Sequence, residues 1–230
     1  LINERMADPV TLTLPPIQPR AQLVFPAENN RVFLLWLDLD EESGLPTLFS
    51  ALIEPTGEIA RGPLRISGES ERVYDFHAAL VPDGSLWVTW SGAIRHESNV
   101  SLRRIDPDGR PNTRSITLVM DARHPVLIPN TDSTITLLYE EGRGENLIRA
   151  RIAEGVLLES TRVTTQVSRT AGTVTNSVYA AADETHEYIF WNLTRDDGHR
   201  ETWFASGERS GTLWSAPALF EPPYTWVRPL

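Results

Sequence analysis

The chain of 230 residues contains neither lysine nor cysteine, and all 21 of its basic residues are arginine. Without lysine there is no Schiff-base nucleophile, no lysine general base and no phosphate-loop lysine. Without cysteine there is no thiol catalysis, no disulfide and no cysteine-ligated zinc. Long apolar runs are missing too: 32–37 is interrupted at Asp38, far short of the roughly 18 residues a membrane span needs. No segment of this chain is therefore expected to insert into a bilayer. Positive charge is scarce, and the formal net charge of −10 argues against nucleic acid as partner, because that affinity rests on neutralising phosphates. No secretory leader is visible and residue 1 is Leu, so the expectation is a piece of a longer protein.

Short runs of β-branched and aromatic residues fill the chain, and long helical periodicity is absent. Four similar units are expected at approximately 21–66, 77–118, 124–164 and 177–220. Each holds four strand-like runs separated by turn-forming clusters such as PDGS, DPDG and AEG. An aromatic residue closes the second run of every unit, at Trp36, Trp90, Tyr139 and Trp191, a period of roughly 50 residues. Four strands in such a period mark the blades of a β-propeller. A lone four-stranded sheet is apolar on both faces, and stacking blades around an axis buries both. The repeated aromatics read as wedges between blades.

The expected fold is all-β: one propeller domain over 1–230, with four recognisable repeats and partial terminal strands. VTLTL at 10–14 and PYTWVRPL at 223–230 each supply about one strand. That leaves a four- or five-bladed ring, or a fragment of a larger one. An open end blade would expose an unpaired edge and invite pairing with a second copy.

The segment 202–217, TWFASGERSGTLWSAP, carries Ser206, Glu208, Gly211, Thr212 and Trp214 in a pattern that resembles the Asp-box of sialidase-like propellers. Glu208 stands where the family has Asp, and one extra residue precedes the glycine. LIEPTGEIA at 52–60 and RIDPDGRPN at 104–112 resemble the same turn in blades without the full box. The resemblance to the bacterial neuraminidase repeat covers all four units and implies the propeller fold. It does not imply sialidase activity: the Arg-Ile-Pro segment of that family is absent, and LIP at 127–129 lacks the arginine.

Ligand sites in propellers gather where loops lead into the first strand of each blade and join the second to the third. On that analogy the candidate ligand-binding residues are Arg20, Asp75, His77, Arg95, Arg123, His124 and Asn176. His77 and His124 lie the same distance before a proline, Pro82 and Pro129. They either converge on the axis or hydrogen-bond loop backbone. Asp38, Asp40 and Glu42 alternate as in a calcium loop, but Ser43 occupies the glycine position and no closing bidentate Glu follows. A solvated polar loop is the expectation there, with no metal or cofactor.

These features point first to a non-catalytic, sialidase-like propeller that binds a glycan or protein ligand, as an extracytoplasmic module of a larger bacterial protein. The alternative is a glycan-processing enzyme using carboxylates of the loops at 38–42 and 140–145. A third reading is a structural or self-associating domain. Asn99–Ser101 and Asn192–Thr194 match glycosylation acceptors.

Overall fold

The computed structural model describes residues 21–94, 97–112, 114–132, 134–142, 146–163, 173–194, 198–209 and 213–220. Arg20 and Arg95 lie outside them, and Asn176 lies in a strand whose side chain there is not described.

The described residues form four antiparallel sheets of four strands, each a simple meander in sequence order. The first holds β1 (Ala21–Pro26), β2 (Val32–Leu39), β3 (Pro46–Ile53) and β4 (Ile59–Arg65). The second holds β5 (Arg72–Leu80), β6 (Leu86–Ile94), β7 (Glu97–Ile105) and β8 (Ile116–Met120). The third holds β9 (Ala122–Pro129), β10 (Ile135–Glu141), β11 (Asn146–Ala153) and β12 (Val156–Arg162). The fourth holds β13 (Thr173–Ala182), β14 (His186–Thr194), β15 (Arg200–Glu208) and the short β16 (Ala218–Phe220).

Turn chemistry repeats with the sheets. In the first turn of the second, third and fourth sheets an aspartate folds back on the backbone. Asp83 accepts from the Ser85 N–H at 2.9 Å, Asp132 from Thr134 at 3.1 Å and Asp183 from Thr185 at 2.8 Å. Such Asx turns close the chain without outside help. Tight turns between third and fourth strands end on Gly57 and Gly109, both at positive φ, with their N–H groups bonded to Glu54 and Asp106 carbonyls.

Strand alternation puts one apolar set on each face, and consecutive sheets share these sets. Phe33, Leu35, Leu48 and Leu52 of the first sheet pack with Leu86, Val88 and Trp90 of the second. Val100 and Leu102 pack with Leu127, Leu137 and Tyr139 of the third. Val126, Ile128 and Leu138 pack with Val178, Ile189 and Trp191 of the fourth. In every case the landmark aromatic faces the preceding sheet. Trp36 of the first sheet is buried with Leu34, Ala51 and Ile53 on the face turned away from the second. The first strands line up in space, β5 against β9 and β9 against β13, while β3 packs on β5. Among the described residues, no strand of the first sheet packs on the fourth sheet in that way.

Polar ties reinforce the seams. The Arg149 guanidinium meets Glu187 across the third and fourth sheets at 2.6 Å, both buried, and Thr136 donates to the same carboxylate at 2.7 Å. In the second sheet Glu71 lies under Gly92 and accepts from Asn99 at 2.7 Å and Ser101 at 3.2 Å. Asn99 is fully buried there, which rules it out as a glycan acceptor in the folded protein.

Candidate functional site

Three first strands break register at the same height, just beyond the landmark aromatic of the neighbouring strand. On β5 the pairing passes from Val73–Gly92 to Asp75–Ser91 and skips Tyr74. On β9 it passes from Val126–Leu138 to Arg123–Glu140, so His124 and Pro125 together face Tyr139. On β13 it passes from Val174–Leu193 to Val178–Trp191. A β-bulge swings the strand and re-aims the side chains around it, and bulges gather beside active sites. Here they turn Asp75 and His124, from neighbouring sheets, toward each other.

His124 Nδ1 lies 2.5 Å from Asp75 Oδ2. The Ser91 hydroxyl and its N–H, the latter at 3.3 Å, donate to Oδ1 of the same carboxylate. His124 adopts a φ of 51° immediately before Pro125, where an extended backbone is the usual choice. A non-glycine residue held in that region by its surroundings is a mark of functional sites. Burial works against the charged imidazole, but the hydrogen bond and charge of Asp75, helped by Glu140, outweigh it and raise the His124 pKa.

Glu140 completes the cluster. It pairs with Arg123 across β10 and β9 and is 2% exposed. Its Oε1 is buried and finds no hydrogen-bond partner. Burial, aided by the charge of Asp75 and opposed by His124 and Arg123, pushes its carboxyl up to about 7. Arg123 donates to the Gly142 carbonyl at 3.0 Å while its Nε stays buried and unpartnered. The arrangement is a carboxyl that titrates near neutral pH beside a histidine–aspartate pair, which is equipped for proton transfer.

Of the residues expected from sequence, Asp75, Arg123 and His124 therefore come together. His77 takes a different place: its Nδ1 accepts the Leu127 N–H of β9 at 3.1 Å, and burial drives its pKa down to about 4. It is a neutral tie between two sheets. Arg20 and Arg95 fall outside the described residues, and the Asn176 side chain is not described. Glu140 is absent from the expected ligand-binding set and enters only among the carboxylates at 140–145 of the enzymatic alternative, although a sharper signal was present. The residue after the landmark aromatic is Leu37, Ser91 and Asn192 in the other sheets, and only here an acid.

The acidic loop of the first sheet is organised around itself. Asp40 accepts from the Ser43 N–H and hydroxyl, both at 2.8 Å, and pairs with Arg65. The Ser43 backbone bond, then Arg65, hold its carboxyl well below the usual range. Among the described residues no group of three His, Asp or Glu side chains is placed to hold a metal ion.

No family model and no curated protein matches the chain. Solved structures do. A protein of unknown function from Dyadobacter fermentans superposes with a TM-score of 0.59 at 12% identity, over 80% of this chain and 51% of its own. A Hadza microbial sialidase gives 0.56 at 11% identity, over 86% of this chain and 44% of its own. The catalytic domain of the Coprinopsis cinerea GH62 alpha-L-arabinofuranosidase gives 0.54 at 11%, over 87% and 68%. The chain thus spans about half the length of the first and less than half of the sialidase. The likeness is one of fold: an all-β architecture of the kind built by glycoside hydrolase and sialidase β-propellers.

Proposed function

We propose that the chain carries a glycan-processing site at the bulged ends of β5, β9 and β10, with Glu140 as proton donor and Asp75 as its carboxylate partner. One observation carries this reading. Glu140 is a buried carboxyl whose Oε1 has no hydrogen-bond partner and whose pKa is pushed up to about 7, beside a second carboxylate that is paired and hydrogen-bonded. Two carboxyl groups in environments that separate their roles are what glycosidic cleavage uses. Water attacks the anomeric carbon and gives its proton to Asp75, while Glu140 protonates the leaving oxygen. His124 and Ser91 orient Asp75. The fold shared with an arabinofuranosidase, an exo-beta-1,3-galactanase and a sialidase supports glycans as the substrate class.

A second reading, a binding module without catalysis, is favoured by the occupation of both Asp75 oxygens by Ser91 and His124. Hydrolysis of nitrophenyl α-L-arabinofuranoside, β-D-xyloside, β-D-galactoside and a sialoside separates the two. The enzymatic reading expects turnover of at least one, lost about 10²-fold or more in Glu140→Gln and declining above pH 7 as Glu140 gives up its proton. Glycan binding with no turnover of any of them, under any of several pH values, would leave the binding module.

Around this site the finer assignments are a propeller of four or five blades, or a segment of a larger one, belonging to an extracytoplasmic bacterial protein. No helix among the described residues is long and apolar enough to cross a membrane. A degenerate Asp-box at 202–217 is supported by the bridge between Gly207 and Trp214 and by the Ser215 N–H donating to the Ser206 carbonyl at 2.8 Å.

A further inference from the structure

At the opposite ends of the same strands, the seam between the third and fourth sheets opens into a cleft of about 530 Å³, within the range of small-molecule sites. Its floor is preorganised. The Arg209 guanidinium is tied to the Asp183 carbonyl at 2.8 Å, to Asn130 Oδ1 at 2.9 Å and to the Pro129 carbonyl. Asn130 is held in turn by Thr134 at 3.0 Å and Thr136 at 3.2 Å. Arg151 pairs with Asp132 and reaches Thr134 at 3.2 Å. The two cations of the cleft are therefore committed to the protein.

What remains open is different in kind. Glu184 and Glu208 line the cleft, exposed and without partners among the described residues. His186 stands opposite Glu208 in the strand register and uses Nδ1 on the Thr185 hydroxyl at 2.8 Å, leaving Nε2 for a ligand. With Asp132 and Arg151 paired to each other, an anion here would meet Glu184 and Glu208. A cation would meet the Arg209 guanidinium, whose bonds go to neutral oxygens. A group that donates and accepts without net charge satisfies the whole lining, and sugar hydroxyls do both.

We propose that this cleft is a second, non-catalytic site for a neutral saccharide unit, recognised through Glu184, His186 and Glu208. It stands apart from the Asp75–His124–Glu140 cluster and does not depend on that cluster being catalytic. On a polymeric glycan it would hold one part of the chain at the strand ends opposite that cluster.

Saturation-transfer NMR with the neutral methyl glycosides of xylopyranose, galactopyranose and arabinofuranose tests it on the full chain. At least one is expected to bind saturably, to lose affinity about tenfold or more in the His186→Ala/Glu208→Ala variant, and to persist in Glu140→Gln. Both rim residues are exposed, so thermal melts of the double variant are expected to match the parent. The proposal falls if none of the glycosides binds, if inorganic phosphate or spermidine displaces the sugar more effectively than a second glycoside, or if the double variant binds as the parent does. Binding lost in Glu140→Gln but kept in the double variant would place the sugar at the Asp75–His124–Glu140 cluster and also overturn it.

Discussion

His77 accepts a hydrogen bond as a neutral imidazole and titrates near 4 instead of 6.5. Between those values the unfolded chain binds the extra proton and the folded chain does not, so stability is lost as pH falls from 6.5 toward 4. Glu140 works the other way. Its carboxyl titrates near 7 instead of 4.5, so its full contribution is present below 4.5 and is lost as pH rises through 7. Each is worth up to about 3 kcal/mol at the far end of its window. Denaturant melts across pH 4–8 are expected to show a shallow profile for the parent. His77→Asn, which keeps an acceptor for Leu127, leaves a profile that declines only with rising pH. Glu140→Gln raises the melting temperature at pH 8 and leaves it unchanged at pH 4.5. Parallel profiles for parent and variants would contradict both assignments.

At the scale of single strands, the close approach of β6 to the chain before β5 depends on Gly92. A β-carbon there would sit 2.8 Å from the Arg72 carbonyl and 2.9 Å from Glu71 Oε1, the first held in the pairing of β5 with β6 and the second in the buried Glu71–Asn99–Ser101 network. Gly92→Ala is expected to destabilise by about 2 kcal/mol or more, measurable by urea unfolding, and Gly92→Ser no less. Gly207 makes the matching case on β15: a β-carbon would lie 2.9 Å from the Trp214 ring, so Gly207→Ala is expected to expose that indole and red-shift its fluorescence. The strands themselves were readable in sequence, because alternation and the turn residues around Asp83, Asp132 and Asp183 repeat with the same spacing. The bulges were not. An extra residue breaks the two-residue period at the point where it matters, so the second and third repeats were expected to begin near 77 and 124, whereas β5 begins at Arg72 and β9 at Ala122. Asp75 and His124 could be named as facing the rim; their contact could not, because it depends on two bulges in two sheets. Glu140 was legible only as one of the carboxylates of the loop at 140–145, because a charged residue beside a turn reads as solvated; its burial shows only in the fold.

For the molecule as a whole, the seam between the third and fourth sheets combines an apolar cluster with the buried Arg149–Glu187 pair. Removing one partner leaves the other charge buried and alone, which is far more damaging than replacing both. Glu187→Gln is expected to lower stability by about 3–5 kcal/mol, and the Arg149→Met/Glu187→Met double variant to recover much of it. Equal losses in single and double variants, by equilibrium unfolding, would show that the pair is not what joins these sheets.

The bulges carry one more consequence. On β5 the pairing skips Tyr74, which is released from the apolar alternation and left exposed. Identity at 74 is thereby separated from the folding code of the sheets, whereas Asp75 and His124 are held by each other and by Ser91. Position 74 is a natural site for redesign: its side chain can be exchanged while the blades beneath continue to assemble as before.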